Sequence, residues 1–182
     1  LGSISAGIIY SRAMGRDIRT QGSKNAGATN MARVHGLRHG IITFIFDCLK
    51  GIIAALIGKY LAGQTGAIVG GTMAVIGHTW PVYFGFKGGK GIATCIGIGL
   101  VTYPLFGTAS FLAGAIVVML THFVSLGSIT GMVVFAVSMS IFYGLWPLGL
   151  WAIFLALLTI WRHKENIRRL IQGTERKFGH RE

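Results

Sequence analysis

The chain has 182 residues, of which 52% are hydrophobic and only 12% are charged, and its mean hydropathy is +0.63. Because a soluble domain carries roughly a quarter of charged residues, this composition excludes an ordinary soluble domain and favours a membrane protein. A net charge of +12 would suit nucleic-acid binding in a soluble protein, but no soluble basic domain is present to bind nucleic acid, so we exclude that class.

Seven hydrophobic segments follow one another along the chain, and several are shorter than the roughly 20 residues of a full helical span. They are Leu1–Ser11, His39–Gly58, Gly66–Phe84, Ile92–Leu105, Thr108–Val124, Ile129–Gly144 and Leu148–Trp161. No Asp, Glu, Lys or Arg occurs from Gly91 to Trp161, a run of 71 residues. The sequence therefore predicts an all-α, polytopic integral membrane protein with about seven transmembrane helices, and five or six spans is the alternative.

The basic residues gather outside these segments. Six of the 17 Lys and Arg residues lie in Arg12–Arg38, two in Lys87–Lys90 and seven in Arg162–Arg181. With seven spans these three regions share one side, which then holds fifteen basic residues, against Lys59 on the other side. Because basic residues flank membrane helices on the cytoplasmic side, we predict an outside N-terminus and a cytoplasmic C-terminus. The predicted arrangement is a single domain, 1–182, with cytoplasmic active-site loops at about 12–38, 86–91 and 125–128 and a tail at 162–182.

The first polar stretch is GSKNAGATNMAR, residues 22–33. Its small residues allow backbone amides to approach an anion, and an arginine can donate two parallel hydrogen bonds to a phosphate. The candidate site residues in it are Ser23, Asn25, Thr29, Asn30 and Arg33. The alternative is a polar loop in which Gly and Asn only form turns.

The second stretch is HTWPVYFGFKGGKG, residues 78–91. Its glycines free the backbone to wrap around oxyanions, its lysines supply charge, and a helix beginning near Ile92 would add its N-terminal amides. The candidate phosphate-binding residues are Lys87, Gly88, Gly89, Lys90 and Gly91. It is not a Walker A loop, because Phe84 and Gly91 stand where that motif has Gly and Ser or Thr. The alternative is a helix end covered by snorkelling lysines.

The third stretch is HKENIRRLIQGTERK, residues 163–177, with His163 and Asn166 as candidate functional residues. Ile167, Leu170 and Ile171 share one helical face, and Gly173 is a plausible end of that helix. An interfacial helix lying against anionic headgroups is the alternative interpretation of its charges.

Other polar residues lie inside the apolar segments. Asp47 and Lys50 are three residues apart on a predicted helix, so they could pair on one face. His78 and His122 could serve a site or only bond to backbone. Cys48 and Cys95 lack the spacing of a disulfide framework or a metal site, and we expect neither a metal nor a cofactor.

Several catalytic motifs do not occur in the sequence. No His is followed five positions later by Asp, and there is neither a GxSxG motif nor a carboxylate pair. If the protein is an enzyme, its substrate must therefore be already activated.

The three stretches in this order, with the apolar spacing between them, resemble the bacterial acyl-phosphate:glycerol-3-phosphate acyltransferases, the PlsY family. The resemblance implies transfer of a fatty acyl group from acyl phosphate to the 1-hydroxyl of glycerol 3-phosphate. The products would be lysophosphatidic acid and inorganic phosphate, in the first committed step of bacterial phospholipid synthesis. It also implies a multi-pass protein of the bacterial cytoplasmic (inner) membrane, and we expect a monomer whose partners are the two substrates and the lipid bilayer.

The resemblance implies roles for individual residues as well. Ser23 and Arg33 match residues essential to the family, and Gly88, Gly89 and Gly91 match its glycerol 3-phosphate-binding motif. His163 and Asn166 match residues that determine activity, whereas Glu175 matches a structural one. Ser128, in the short SLGS stretch, is a weaker match. From the dearth of carboxylates we expect no covalent acyl-enzyme, with charge neutralisation by Arg33 and the lysines, and with Ser23, Asn25 and Asn166 orienting the reactants.

Two other functions fit the same sequence. A membrane transporter of organic phosphates would also place basic residues and glycines at broken helices. The second is an acyltransferase using acyl-CoA or acyl carrier protein, and CoA would call for an additional docking surface, which the short loops hardly offer.

Overall fold

The computed structural model describes residues 1–179, and all regular secondary structure within that range is helical. The predicted all-α class is thereby confirmed. The last three residues of the predicted 1–182 domain and 162–182 tail lie outside the described residues. The α-helices of residues 1–179 are α1 Ala6–Ala13, α2 Ala28–His35, α3 Leu37–Thr79, α4 Ile92–Thr102, α5 Pro104–Thr121, α6 Val124–Tyr143, α7 Leu150–Arg162 and α8 Lys164–Ile171.

The chain forms two compact units. The first, Leu1–Thr102, contains α1 to α4, and the second begins at Tyr103 and contains α5 to α8. The polar stretches 22–33 and 86–91 belong to the first unit, whereas 163–177 belongs to the second.

Helix α3 is a hairpin rather than one straight rod. Ala62 and Gly63 leave helical geometry, and Gly63 has φ of +60° and ψ of −148°, a conformation that favours glycine. The two arms, 37–61 and 64–79, then pack so closely that a Cβ on Gly58 would overlap the carbonyl of Gly66, and the reverse. This bend confirms the predicted turn between the second and third hydrophobic segments.

Helix α4 packs against the α3 hairpin through the same kind of close contact. A Cβ on Gly51 would overlap the Thr94 carbonyl, and a Cβ on Gly97 would overlap that of Cys48. Small residues that let helix backbones approach are the usual basis of helix packing in lipid, where no hydrophobic driving force acts between helices.

In the second unit, α5 and α6 meet at Gly114 and Gly127, each of which lies against the carbonyl of the other. At the other end of these helices the ring of Tyr103 lies 5.0 Å from Tyr143 and 6.1 Å from Trp151. This aromatic cluster packs the beginning of α5 and the end of α6 against α7.

Four helices in the described range are long and apolar enough to cross a membrane: Leu37–Phe84, Pro104–Thr121, Val124–Tyr143 and Leu145–Arg162. Large apolar side chains such as Leu61, Leu120 and Ile141 are more than 70% exposed, as expected for surfaces that face lipid. Each of the seven predicted segments contains helix, although α1 has only 8 residues and α4 only 11. The count of seven spans and the orientation stay predictions.

The prediction of an active-site loop at 125–128 is wrong. These residues form the first turn of α6, which begins at Val124, five residues before the predicted segment. The connection from α5 consists only of His122, in the left-handed conformation, and Phe123. Ser and Gly at the start of a helix resemble a loop in composition, which explains the error.

The helix predicted in the tail is confirmed as α8. It ends at Ile171, and Gly173 follows with φ of +67°. The amide of Thr174 then donates to the Arg169 carbonyl at 2.8 Å, a glycine-dependent helix end that turns the chain back.

Candidate active site

Asn30 organises the first polar stretch. Its side chain is 2% exposed, and its Oδ1 accepts a hydrogen bond from the Ser23 amide at 2.8 Å. Its Nδ2 lies 2.9 to 3.2 Å from the carbonyl oxygens of Ile18, Gln21 and Asn25. The amide is thus fully engaged with loop backbone, so this predicted substrate-binding residue shapes the loop from inside.

The other candidates of this stretch are more accessible. Ser23 is exposed on the loop that Asn30 holds, and Arg33 is exposed on α2, a helix where the sequence had suggested a loop. Thr29 is half-buried in the first turn of α2. Asn25 is half-buried and its Oδ1 accepts from the Gly27 amide at 3.0 Å, which caps the turn leading into α2.

The second stretch leaves α3 and forms the loop that leads into α4. The Gly88 amide donates to the Thr79 carbonyl at 3.2 Å, and the Gly89 amide donates to the His78 carbonyl at 3.1 Å. These two amides therefore donate within the fold, and the predicted role of the two glycines in substrate binding stays a prediction. Lys87 is exposed and Lys90 half-buried on either side of them.

Helix α4 begins at Ile92, as predicted, directly after Gly91. Gly91 has φ of +89°, and its carbonyl accepts from the Cys95 amide at 2.8 Å. The chain thus turns sharply into the helix at this glycine. The amides of the first turn of α4 follow the two lysines, where the dipole of the helix favours an anion.

An ion cluster joins the flanks of these two stretches. Arg19 Nη1 donates to the Phe84 carbonyl at 2.6 Å, and Arg12 lies 5.5 Å from the centre of the Phe84 ring. Asp17 pairs with both arginines, at 2.8 Å to Arg19 and 3.1 Å to Arg12. Hydrogen bonds from Arg19 hold the pKa of Asp17 well below its usual range, although burial opposes them. The first unit therefore keeps the two basic stretches at one end.

In the second unit the carboxylate of Glu175 collects three hydrogen bonds. Ser125 Oγ donates at 2.7 Å and Asn166 Nδ2 at 2.6 Å, while Arg169 Nε donates to the second oxygen at 2.7 Å. Burial raises the pKa of Glu175, but the hydrogen bonds from Asn166, Ser125 and Arg169 outweigh it and leave the pKa below the usual carboxyl value. Glu175 thereby connects α8 with the start of α6, which agrees with the structural role that the resemblance implies.

His163 lies between α7 and α8 and is 3% exposed. Its Nδ1 is 2.7 Å from the carbonyl oxygen of Thr159, one turn earlier. A carbonyl can only accept, so Nδ1 carries the ring proton, and in the neutral ring Nε2 is the basic nitrogen. The contact with Thr159 therefore fixes the tautomer in which Nε2 is the basic nitrogen.

Two residues that donate hydrogen bonds to Glu175 were not predicted from the sequence. Within SLGS it is Ser125, buried, that donates to Glu175, whereas the predicted Ser128 is half-buried one turn further along α6. Arg169, which donates to the other carboxylate oxygen, is not among the predicted site residues. Both residues lie in stretches that the sequence had indicated. Which side chain of each stretch reaches Glu175 depends on the helical register of α6 and α8, and the sequence alone does not give that register.

The described residues contain no group of three or more His, Cys, Asp or Glu side chains that could hold a metal ion. Within the same range Cys48 and Cys95 are free thiols.

Comparison with known proteins places these residues in a family context. The family model described as glycerol-3-phosphate acyltransferase matches residues 1–173. The glycerol-3-phosphate acyltransferase of Thermoanaerobacter sp. (strain X514) is 49% identical over 163 residues, which cover 90% of this chain and 82% of the relative. One from Thermus thermophilus is 42% identical over 184 residues, covering 99% of this chain and 91% of the relative.

Two solved structures are also similar. The crystal structure of PlsY, an integral membrane glycerol 3-phosphate acyltransferase, in its glycerol 3-phosphate form has a TM-score of 0.90 and 39% sequence identity. The match covers 98% of this chain and 90% of that chain. The lysophosphatidic acid form of the same enzyme has a TM-score of 0.86 and 38% identity.

Proposed function

Because the chain belongs to the glycerol-3-phosphate acyltransferase family, we propose that it transfers a fatty acyl group from acyl phosphate to the 1-hydroxyl of glycerol 3-phosphate. A role in phospholipid synthesis follows from the family. The observation that most supports the proposal is that the family match runs over residues 1–173 and therefore includes all three polar stretches down to Gly173.

The attacking hydroxyl of glycerol 3-phosphate needs only a weak general base in this reaction. The hydroxyl oxygen attacks the acyl carbon, the bond from that carbon to the phosphate oxygen breaks, and phosphate leaves with the electron pair. Since phosphate is a good leaving group, no covalent acyl-enzyme is required, and the protein acts by positioning and charge neutralisation. The products are lysophosphatidic acid and inorganic phosphate.

Phosphate recognition belongs to the first unit in this proposal. Arg33 can donate bidentate hydrogen bonds to phosphate, and Lys87 and Lys90 add charge beside the beginning of α4. Ser23 is presented on the exposed side of the loop that Asn30 holds. We assign Asn25, Asn30, Gly88 and Gly89 to the shape of these loops, because each of them makes hydrogen bonds to backbone.

Lys90 tests this assignment. Lys90→Ala is expected to raise the KM for glycerol 3-phosphate chiefly, because it removes a contact made equally in the ground state and in the transition state. An unchanged KM with a reduced kcat would instead assign Lys90 to the leaving phosphate.

Proton transfer belongs to the second unit. His163 is held by Thr159 in the tautomer with basic Nε2, so it can accept the proton of the attacking hydroxyl. Asn166 is held by Glu175 and orients a reacting group. Ser128, in the first turns of α6, contributes to substrate binding in this proposal.

Replacement of His163 tests its role as the base. His163→Ala is expected to lower kcat by about 10²-fold or more, the usual contribution of a positioned base. His122→Ala, at an exposed histidine of the same unit, is the control. Wild-type turnover of His163→Ala with an unchanged pH profile would exclude this base and leave a substrate phosphate as the proton acceptor.

The two other functions are separated by one assay. Purified protein in detergent is given glycerol 3-phosphate with acyl phosphate, acyl-CoA or acyl carrier protein in turn, and acylated product is measured. We expect product with acyl phosphate. Turnover without two compartments excludes a transporter, whereas product only with acyl-CoA or acyl carrier protein would overturn the proposed donor.

We also propose that the protein is a monomer of the bacterial inner membrane, with its polar stretches on the cytoplasmic side. The apolar helices and the integral membrane nature of the solved relative support membrane insertion. The excess of basic residues around these stretches supports the cytoplasmic side.

A further inference from the structure

Three ionisable side chains are buried within the α3 hairpin and have no part in the reaction proposed above. Asp47 is 2% exposed, Lys50 6% and His78 3%. Asp47 and Lys50 lie on the first arm, and His78 lies near the end of the second arm. Ionisable residues inside membrane segments are costly and are usually functional, so this buried charge cluster calls for a role.

The Lys50 ammonium is surrounded by three acceptors. Its Nζ lies 2.8 Å from Asp47 Oδ1 and 2.6 Å from His78 Nδ1, and it donates to the Ile4 carbonyl at 3.1 Å. The pairing of Asp47 with Lys50 that their spacing suggested is thereby confirmed. Lys50 therefore forms an ion pair with Asp47 and lies within hydrogen-bond distance of His78 and Ile4. One carboxylate and one ammonium cancel in charge, as burial requires.

The same contacts involve Nδ1 of the His78 ring. A charged ammonium can only donate, so beside it His78 Nδ1 is the acceptor, and the same nitrogen lies 3.4 Å from Asp47 Oδ1. The Nε2 edge of this ring faces Gly89: a Cβ added at Gly89 would overlap Nε2. The ring therefore fills the space that a side chain at Gly89 would need.

The backbone adds a second connection at the same place. The Gly89 amide donates to the His78 carbonyl, and the Gly88 amide donates to the carbonyl of the next residue, Thr79. The loop is thus held both by the main chain at His78 and by its ring. Any change in the position of His78 displaces the two glycines that separate Lys87 from Lys90.

We propose that the buried charge cluster, Asp47, Lys50 and His78, is a positioning device for the glycine loop and thereby sets the affinity for glycerol 3-phosphate. This inference rests on the function proposed above. The His78 ring lies against Gly89, and Lys50 and Asp47 act on the loop through that ring, so all three are positioning residues and not catalytic ones. A binding group on a loop is held less precisely than one that is supported by buried side chains. A displacement of about 1 Å is enough to weaken substrate binding or catalysis strongly.

The first test removes both charges at once. The double variant Asp47→Asn/Lys50→Met avoids leaving an unpaired buried charge, and such replacements are often tolerated. We expect its KM for glycerol 3-phosphate to rise about tenfold while kcat stays within about twofold, as for loss of uniform substrate binding. Lys59→Met, at an exposed lysine of the same hairpin, is the control and should behave as wild type.

The second test does not depend on activity. Hydrogen exchange at the Gly88 and Gly89 amides should be faster in the double variant, with exchange in α5 and α6 unchanged. Unchanged exchange at the two glycines would overturn the proposal, and so would faster exchange with an unchanged KM. If the wild type shows no glycerol 3-phosphate-dependent acyl transfer, the proposed function fails, and the exchange result still decides whether the cluster holds the loop.

A double-mutant cycle tests the contact itself. Gly89→Ala forces a methyl group against the His78 ring, whereas His78→Asn keeps an acceptor near Lys50 and withdraws the ring edge. If the ring is what excludes a side chain at Gly89, the combined KM increase will be smaller than the product of the two single increases. A fully multiplicative effect would overturn the direct contact between ring and loop.

Discussion

At the scale of single residues, two buried side chains hold the polar stretches in shape. Asn30 satisfies an amide and three carbonyls of its own loop, and Glu175 accepts from three side chains on two helices. Both are hydrogen-bonded within the protein itself, so we expect their contribution to activity to be indirect. Their replacement should change stability as much as turnover.

Asn30→Asp would place a carboxylate oxygen against three carbonyls at the position of Nδ2. Because a buried polar group would then face acceptors only, we expect a loss of about 2 to 3 kcal/mol in the free energy of unfolding. Thermal unfolding of the purified protein in detergent measures it. Asn25→Asp is the matched control, since only the oxygen of Asn25 is used, by the Gly27 amide. Equal melting temperatures for Asn30→Asp and the wild type would contradict the role of Asn30.

Glu175→Gln removes the charge that Asn166, Ser125 and Arg169 stabilise. At about pH 7 we expect a loss of about 1 to 3 kcal/mol, since the side chain is 7% exposed and its partners remain. The folded-state pKa lies below the ordinary value of 4.5, so the stabilisation is present above that value and is lost as the pH falls through the folded-state pKa. The difference in the free energy of unfolding between Glu175→Gln and the wild type should therefore become smaller in acid.

Melting temperatures of Glu175→Gln measured from about pH 7 down to about pH 3 check this dependence. Glu165→Gln, at an exposed position of α8, should show no comparable gap. A gap that stays constant or widens in acid would mean that the Glu175 charge does not stabilise the fold.

Some of these residue roles could be predicted from sequence, and others could not. The spacing of Asp47 and Lys50 on one helix face suggested their pairing, which the structure confirms. The role of Asn30 depends on carbonyls up to twelve residues away, which no local pattern encodes. The hydrogen bonds of the Gly88 and Gly89 amides depend on the position of the end of α3, which a glycine-rich composition alone does not predict.

At the scale of elements, the α3 hairpin is the central element of the first unit, since it packs against α4 and contains the buried charge cluster. Its arms approach at Gly58 and Gly66, where no Cβ fits. The turn at Gly63 was predicted from the gap between two apolar segments. The start of α6 was not, because the Ser and Gly residues of its first turn resemble a loop in composition.

Gly58→Ala should separate the arms of this hairpin. Because the added methyl group meets the backbone of Gly66 and not a flexible side chain, we expect a loss of about 1 to 3 kcal/mol, the usual cost of overpacking. Thermal unfolding in detergent measures the loss. Leu61→Ala, at a side chain 73% exposed on the same arm, should have little effect. A Gly58→Ala variant as stable as wild type would show that the arms need not approach this closely.

At the scale of the whole molecule, the protein is helical and apolar, and its three polar stretches lie around the ends of helices. A reaction between a lipid-tailed donor and a water-soluble acceptor needs this arrangement, because the alkyl chain belongs in the bilayer and the phosphates belong in water. The composition predicted membrane insertion, and the three stretches in order predicted the family. The donor is the part of the proposal that neither composition nor fold dictates.

The most direct test is the initial rate of phosphate release from acyl phosphate by the wild-type protein, with and without glycerol 3-phosphate. We predict that release above the protein-free rate requires glycerol 3-phosphate and that one phosphate appears for each lysophosphatidic acid formed. Release in the absence of glycerol 3-phosphate, or lysophosphatidic acid formed without phosphate, would contradict direct acyl transfer from acyl phosphate.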